Sequence, residues 1–291
     1  MKRKAAISSR ARRRRAFPPI AILTDFGYRD HYVGALKGVI ASIVPEAPII
    51  DLTHGIPPQA VAAGAIALHQ AWRFFPARTI FLAVVDPGVG TTRRAIALET
   101  RAGARFVGPD NGVLWPAADE AGIIGAVELS NPRYRLKALS ATFHGRDLFA
   151  PAAAYLGRGI GLGAFGPALA VDALIRPPMP PAPREAGARL TGTVVYVDGY
   201  GNLASNIDRP RYERFAGRFR GFPLWVTIGR GTRIYPHNTY GEAPAGAALA
   251  IFGSFGTLEV AVRDGNAAER FAAGPGTLVT VRAGRRSTDG R

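Results

Sequence analysis

The sequence predicts an α/β N-terminal domain on a mainly parallel central sheet, followed by a small C-terminal β-barrel or sandwich. Three observations predict it. Ile80-Phe81-Leu82-Ala83-Val84-Val85 is an apolar run without polar alternation, the pattern of a strand covered on both faces. Strand and helix patterns alternate through the first half of the chain, which implies right-handed crossovers and parallel pairing. Beyond a proline-rich break come short alternating segments separated by turn signals, with little helix.

Taken in order, the chain starts with a basic arm, residues 1–17, in which eight of the 37 Lys and Arg residues fall in the first fifteen positions. Like charges repel and little there can be buried, so a disordered arm is expected. Pro18 and Pro19 follow where a secretory signal would need an apolar core. A transit peptide, an RNA-binding arm and an upstream-start artefact are the alternatives. An α/β domain is expected over 18–175. Ile20-Ala21-Ile22-Leu23 is a short strand that breaks at Thr24-Asp25-Phe26-Gly27. From Asp30 to Ile43 the residues Tyr32, Val33, Leu36, Val39, Ile40 and Ile43 keep helical spacing, and Pro45 stops the run. Ile49 to His54 is the next strand. After Pro57-Pro58 an Ala-rich helix is expected from about Gln59 to Phe75.

The central strand then ends at Asp86-Pro87-Gly88-Val89-Gly90-Thr91-Thr92-Arg93. Proline cannot donate to a ladder and glycine admits backbone geometry closed to other residues, so Asp86 stands where strand becomes loop. In open α/β sheets ligands bind at that carboxyl end. The glycines fit neither the dinucleotide fingerprint nor the phosphate loop. What remains is an acid and, seven residues on, a guanidinium able to fold back onto it; a structural salt bridge and a functional pair are both open at this point. Asp25 stands at an equivalent break, where an Asx-turn is the structural alternative.

Ala95 to Thr100 and Ala104 to Val107 read as strands, and Gly108-Pro109-Asp110-Asn111-Gly112 as a tight loop offering Asn111 for a polar contact. Thr142-Phe143-His144-Gly145-Arg146-Asp147 precedes a helix from about Leu148 to Leu156. A histidine there caps the helix, fills a core gap or enters chemistry. Ala164 to Leu174 leads to a Pro-rich linker, 176–188, that no helix or central strand would tolerate. The second domain is expected over 189–285, with strands at Leu190 to Val197, Leu224 to Ile228, Ala248 to Phe252, Thr257 to Val262 and Thr277 to Val281, and a tail at 286–291. Asp198-Gly199-Tyr200-Gly201-Asn202 lies at one of its turns.

Composition excludes several classes. With 291 residues, 47% of them hydrophobic, the chain can build real cores. No apolar stretch is long enough for a transmembrane helix. There is no cysteine, so disulfides, thiolate metal sites and thiol nucleophiles are excluded. The five histidines, His31, His54, His69, His144 and His237, form no ligand-spaced pair, and no metal is expected. His31, His54 and His69 are read as structural or surface residues. The net charge of +16 is unevenly distributed, half of it in the arm, and nucleic acid is not the expected partner.

Five stretches, in order, resemble the S-adenosylmethionine hydrolase family, also described as SAM hydroxide adenosyltransferases and related to fluorinase and chlorinase: Thr24-Asp25-Phe26-Gly27, Asp86 to Arg93, Pro109-Asp110-Asn111-Gly112, Phe143-His144-Gly145-Arg146-Asp147 and Asp198 to Leu203. They span about Ile20 to about Ala268. The resemblance implies an α/β N-terminal domain, a C-terminal β-barrel, and a cytoplasmic homotrimer with the nucleoside between one subunit's N-terminal domain and its neighbour's C-terminal domain. It implies catalysis by Asp86, Arg93 and His144, the hydrolase set, where halogenases place Tyr for the Asp and Tyr for the His. Gly145 replaces the fluorinase Ser that helps hold fluoride, although chlorinase has Gly there too. The aromatic that halogenases lay over the ribose has no clear equivalent near Pro57-Pro58. For substrate binding it implies Asp25 at the ribose, Asn111 and Phe143 in the pocket, and Asp198 and Asn202 at the methionine end, with Ser254 and Glu259 as further candidates. Phe255 departs from the family pattern beside them. No cofactor is implied, since S-adenosylmethionine is the substrate.

These residue types suit such chemistry. Displacement at the ribose C5′ of a sulfonium releases a neutral thioether, so no general acid is needed. Water must instead be held in line and relieved of a proton. His144, with an ordinary pKa of about 6.5, is one acceptor; Asp86 is another, kept charged by Arg93. A chloride-using halogenase, a non-catalytic SAM or adenosine-binding protein, and a nucleic-acid binder acting through the arm are the competing expectations.

Overall fold

The computed structural model describes residues 16–177, 180–229 and 231–284, so most of the basic arm, part of the Pro-rich linker and the tail lie outside the described residues. The chain divides into two compact units between residues 177 and 178.

The first unit carries a six-stranded sheet. Its elements are β1 (Ile20–Thr24), α1 (Tyr32–Ile43), β2 (Ile49–Thr53), α2 (Val61–Ala71), β3 (Ile80–Val84), β4 (Ala95–Thr100), β5 (Arg105–Pro109), α3 (Trp115–Glu120), β6 (Ile123–Glu128) and α4 (Ala150–Gly157). Strand order is β2-β1-β3-β5-β4-β6. The first three pairings are parallel, and β4 runs antiparallel to both β5 and β6. The sheet is therefore mixed, with its parallel part at the end where Asp25 and Asp86 emerge.

Burial on both faces explains the unbroken apolar runs. Ile20 and Ile22 of β1, with Ile80, Leu82 and Val84 of β3, pack beneath Leu36 and Ile40 of α1 and the apolar run of α4. Ala21, Leu23, Phe81 and Ala83 point the opposite way, onto Leu68 of α2 and Ala117 of α3. Each fully buried Leu or Ile contributes about 1.5–3 kcal/mol, and alternation by single residues delivers that gain to two separate cores. The strand α2 follows, β2, is different: it is an edge, paired on one side with β1, and Ile50 and Asp51 are exposed.

The second unit contains β7 (Arg184–Ala186), β8 (Arg189–Val197), β9 (Leu203–Asp208), α5 (Arg209–Arg218), β10 (Leu224–Ile228), β11 (Ala248–Phe252), β12 (Thr257–Val262), α6 (Ala267–Phe271) and β13 (Leu278–Ala283). Its order is β10-β13-β8-β9-β12-β11, with β7 added beside β8. Every strand pairing in it is antiparallel. Bridges from Ile234 to Val226 and from Pro236 to Ala250 link the two ends of that order, so the sheet is nearly closed and barrel-like. Leu190, Leu203, Val226, Leu258 and Val281 fill its interior with Phe215 of α5. Asp208 caps α5 by accepting from the Arg211 amide at 2.7 Å, and Pro210 occupies its first turn.

Candidate active site

The site in the first unit is built at the carboxyl ends of β1 and β3. Asp86 follows Val85 directly after β3, and the loop that begins there doubles back. Turn contacts Val89 N–H to the Asp86 carbonyl (3.2 Å) and Thr91 N–H to the Gly88 carbonyl (3.1 Å) hold it. Gly90 has φ +77° and lies so close to the Ala141 carbonyl that a Cβ would collide with it. The turn returns Arg93 onto Asp86. Arg93 Nε donates to Asp86 Oδ1 at 3.0 Å and to Oδ2 at 3.1 Å, and Nη2 donates to Oδ2 at 2.5 Å. The Asp86 and Arg93 side chains are only 5% and 10% exposed.

Arg93 Nη2 also reaches His144 Nδ1 at 2.8 Å. A guanidinium has no lone pair to offer, so Arg93 is the donor and Nδ1 the acceptor. The neutral ring then carries its proton on Nε2. Burial pushes the His144 pKa below its ordinary value and the Arg93 charge pushes the same way, while Asp86 and Asp147 oppose both. The Arg93 guanidinium lies over the Phe149 ring, 5.1 Å from its centre.

His144 is not a conventional helix cap. It stands at the start of a π-helical turn, Gly145–Phe149, that leads into α4. Asp147, fully buried, anchors this turn: its Oδ1 and Oδ2 accept from Arg146 at 2.6 and 3.0 Å, and Oδ2 accepts the Ser140 amide at 2.8 Å.

Asp86 and His144 line a cleft of about 510 Å³ together with Asp25, Gln59, Phe26, Tyr32 and Phe143; His31, Ser140 and Thr142 also reach it. Its size is ordinary for a small-molecule site. Asp25 Oδ2 accepts the Gln59 amide at 2.8 Å. Gln59 adopts φ +64°, a left-handed conformation that turns its backbone toward the carboxylate. Phe26, Tyr32 and Phe143 pack edge to face or tilted, with ring centres 5.2–6.0 Å apart. Arg93 is paired to Asp86 and Arg146 also lines the cleft, so the features that favour a cation are the Asp25 carboxylate and the faces of the three aromatic rings.

Asn111 is placed otherwise. Its amide donates to the Val85 carbonyl at 2.8 Å and its Oδ1 accepts the Val113 amide at 3.1 Å, so it ties the loop after β5 to the end of β3 behind Asp86. His31 and Tyr32 line the cleft although the sequence marked neither for chemistry. Their position follows from a short β1-to-α1 loop, a signal present in the spacing between Asp25 and the first helical residue.

The remaining candidates lie in the second unit, where Asp198, Asn202 and Glu259 are neighbours. Asp198 Oδ1 accepts the amides of Tyr200 and Asn202 at 2.9 Å each, and Oδ2 accepts Asn202 Nδ2 at 2.9 Å. Glu259 on β12 packs directly against Gly253, where a Cβ would strike its carboxyl group. Burial, reinforced by the Asp198 charge, pushes the Glu259 carboxyl up to about 7. Ser254 is exposed in the turn between β11 and β12. Among the described residues no group of three or more His, Asp or Glu could hold a metal ion. No helix among them is long and apolar enough to cross a membrane.

Comparison with known proteins agrees with this architecture. Residues 20–166 match the SAM hydroxide adenosyltransferase N-terminal domain and residues 192–280 the SAM hydroxide adenosyltransferase C-terminal domain. The chain is 41% identical over 268 residues to the (R)-S-adenosyl-L-methionine hydrolase of Salinispora arenicola, covering 92% of this chain and 98% of that protein. A fluorinase of an Actinoplanes species is more distant, 32% identical over 220 residues, 68% of this chain and 74% of the relative. The crystal structure of an uncharacterized conserved protein from Thermotoga maritima superposes with a TM-score of 0.84 at 37% identity, covering 90% of this chain and 99% of that one. With both domains matched in order and a relative of this identity spanning nearly the whole chain, the protein belongs to the SAM hydroxide adenosyltransferase family.

Proposed function

We propose that this protein hydrolyses S-adenosyl-L-methionine to adenosine and L-methionine, by attack of water or hydroxide at the ribose C5′. The observation that carries the reading is the Asp86–Arg93–His144 constellation in a cleft whose other groups suit a cationic nucleoside. The 41% identity to a named hydrolase, above that to fluorinase, supports it.

In this reading the oxygen–C5′ bond forms as the C5′–sulfur bond breaks, and the electron pair leaves with sulfur as a neutral thioether. The nucleophile's proton is the one that must be managed. Because His144 Nδ1 already accepts from Arg93, the neutral imidazole meets the nucleophile as an Nε2–H donor, and Asp86 is the acceptor that orients the water and takes its proton as the oxygen–C5′ bond forms. Arg93 fixes the Asp86 carboxylate by paired donation and places a positive charge beside the point where the nucleophile's negative charge develops. Asp25 takes the ribose hydroxyls: one oxygen accepts the Gln59 amide and the other accepts no hydrogen bond from the described residues. Phe143, with Phe26 and Tyr32, forms the aromatic wall that the region near Pro57-Pro58 lacks. Asn111 supports the Asp86 loop from behind.

Asp198 and Asn202 are assigned to the methionine end, with Glu259 and Ser254 as further contacts; the turn bonds of Asp198 fix that carboxylate in place. A cytoplasmic homotrimer requiring no metal or cofactor completes the proposal, with small-molecule substrate as its partner. Light scattering of the purified protein should give three times the 30.9 kDa chain mass.

The test is product analysis. The protein incubated with the (R) and (S) sulfonium epimers in chloride-free buffer should release adenosine and methionine in equal amounts, and the name of the relatives makes the (R) epimer the first to try. 5′-Chloro-5′-deoxyadenosine on adding chloride would identify a halogenase instead, and binding without turnover a sensor.

A further inference from the structure

We infer that His54 is a positioning residue that presents Asp25 to the ribose, by pinning both flanks of the β1 end through its side chain and its backbone. The inference rests on the reading of Asp25 as the ribose ligand.

His54 stands just past β2, is 1% exposed, and does not reach the cleft. Its Nδ1 lies 2.7 Å from the hydroxyl of Thr24, the fully buried residue before Asp25. That hydroxyl accepts the Phe26 amide at 3.2 Å, and the His54 carbonyl accepts the Gly27 amide at 2.9 Å. The residues on either side of Asp25 are thus tied to one imidazole-bearing residue. Five positions on, Gln59 donates its amide to Asp25 Oδ2. The segment 54–59 therefore determines where the carboxylate points.

The ring has one protonation state that satisfies these bonds. The Asp51 carboxylate beside Nε2 favours the proton of the neutral ring there, which leaves Nδ1 to accept the Thr24 hydroxyl proton while Thr24 accepts from Phe26. Nε2 faces Asp51 Oδ1 at 3.2 Å, out of line for a full hydrogen bond. Asp51 Oδ2 is held by Lys37 Nζ at 2.7 Å and by the Tyr28 hydroxyl at 2.8 Å, and the Tyr28 ring packs edge-on to the imidazole with centres 5.0 Å apart. Those four residues are the titratable and polar groups facing His54. A second proton would place an N–H on Nδ1 against Thr24 and leave the threonine hydroxyl proton without its acceptor. Burial lowers the His54 pKa, with Asp51 opposing, which keeps the ring in the single-proton state at neutral pH.

The test compares wild type with His54→Ala, His54→Asn and Thr24→Val, measuring KM and kcat for S-adenosylmethionine from pH 5 to 8 and the Kd of adenosine by calorimetry. Loss of a buried hydrogen bond should raise KM and the adenosine Kd about 10-fold in His54→Ala and Thr24→Val, with kcat changed less than about 3-fold. His54→Asn places an amide where Nδ1 lies and does not titrate. It should restore KM, and its KM should stay flat where that of wild type climbs in acid. Unchanged KM and Kd in His54→Ala and Thr24→Val would overturn the inference, as would an acid climb in His54→Asn equal to that of wild type. Should His54→Ala fold poorly, Thr24→Val carries the same comparison. If wild type binds adenosine without turnover, the hydrolase reading fails and the adenosine Kd values still decide the role of His54; absence of adenosine binding overturns both.

Discussion

Asp86→Asn separates the chemistry of the site from its architecture. The substitution keeps the shape and one carbonyl acceptor for Arg93 but removes the charge and leaves an N–H₂ group where the second carboxylate oxygen stood. With side chains 5% and 10% exposed, the pair is nearly dry, and removing one partner of such a pair costs about 3 kcal/mol. Thermal or urea denaturation reads that loss. Activity should fall further than stability accounts for, because the acceptor that orients the nucleophile is gone: kcat should drop about 10²- to 10⁴-fold at saturating substrate, with KM changed little. Chromatographic quantification of adenosine over time measures it. The paired variant Asp86→Ala with Arg93→Ala removes the uncompensated guanidinium, and should regain part of the stability lost by Asp86→Ala while remaining inactive. A folded Asp86→Asn protein with kcat within about 3-fold of wild type would refute the assignment of Asp86 as acceptor. A double variant no more stable than Asp86→Ala would refute the reading of the pair as a buried ion pair.

Further outcomes follow from neighbouring groups. The His144 pKa is depressed in the folded protein, so the neutral ring is the working form above the ordinary histidine range. kcat should be flat from about pH 7 upward and decline only as pH falls through the lowered value, below about 6.5; a decline already centred above 7 would contradict it. Glu259 has the opposite sign, a carboxyl raised to about 7, so the folded state holds a proton that the unfolded state has lost between its ordinary value and 7. Stability should therefore fall as pH rises through that window. Glu259→Gln should remove the dependence and gain about 1 kcal/mol at pH 8 after allowance for solvent screening, read by denaturation at pH 5 and 8. Gly90→Ala should cost about 1–3 kcal/mol and most of the activity, since φ +77° and the Ala141 carbonyl both oppose a Cβ between Asp86 and Arg93; unchanged melting would contradict the loop geometry.

The chain's own pattern reveals the parallel half of the sheet because a strand buried on both faces has no polar alternation, and its end is marked by the first charge. That is why Asp25 and Asp86 were legible at the ends of β1 and β3. The strands Leu224–Ile228, Ala248–Phe252 and Thr257–Val262 were legible for a related reason, sharp turns at both ends. Elements without those marks were not. α5 is the exception: the Asp208 cap, Pro210 in the first turn and the spacing of Tyr212, Phe215 and Phe219 mark it, but five Arg residues from Arg209 to Arg220 mask that short stripe. α3 is six residues long, and Gly125 interrupts the apolar run of β6. His144 illustrates the limit for sites: its place before a helix was visible, but not the π turn that aims it, because that turn depends on Asp147 reaching back to Ser140. Asn111 is similar. Its place in a tight loop near the site was visible, but not the bonds to the Val85 carbonyl and the Val113 amide that tie that loop to the end of β3. The Thr24–His54 contact joins positions 30 apart, a distance no local pattern encodes.

The most direct test of hydrolysis at carbon uses ¹⁸O-water. The purified protein is incubated with S-adenosylmethionine in chloride-free buffer and the nucleoside is analysed by mass spectrometry. Attack of water at C5′ gives adenosine with ¹⁸O at its 5′ oxygen, accompanied by unlabelled methionine. Unlabelled adenosine, or substrate left intact while still bound, would contradict it.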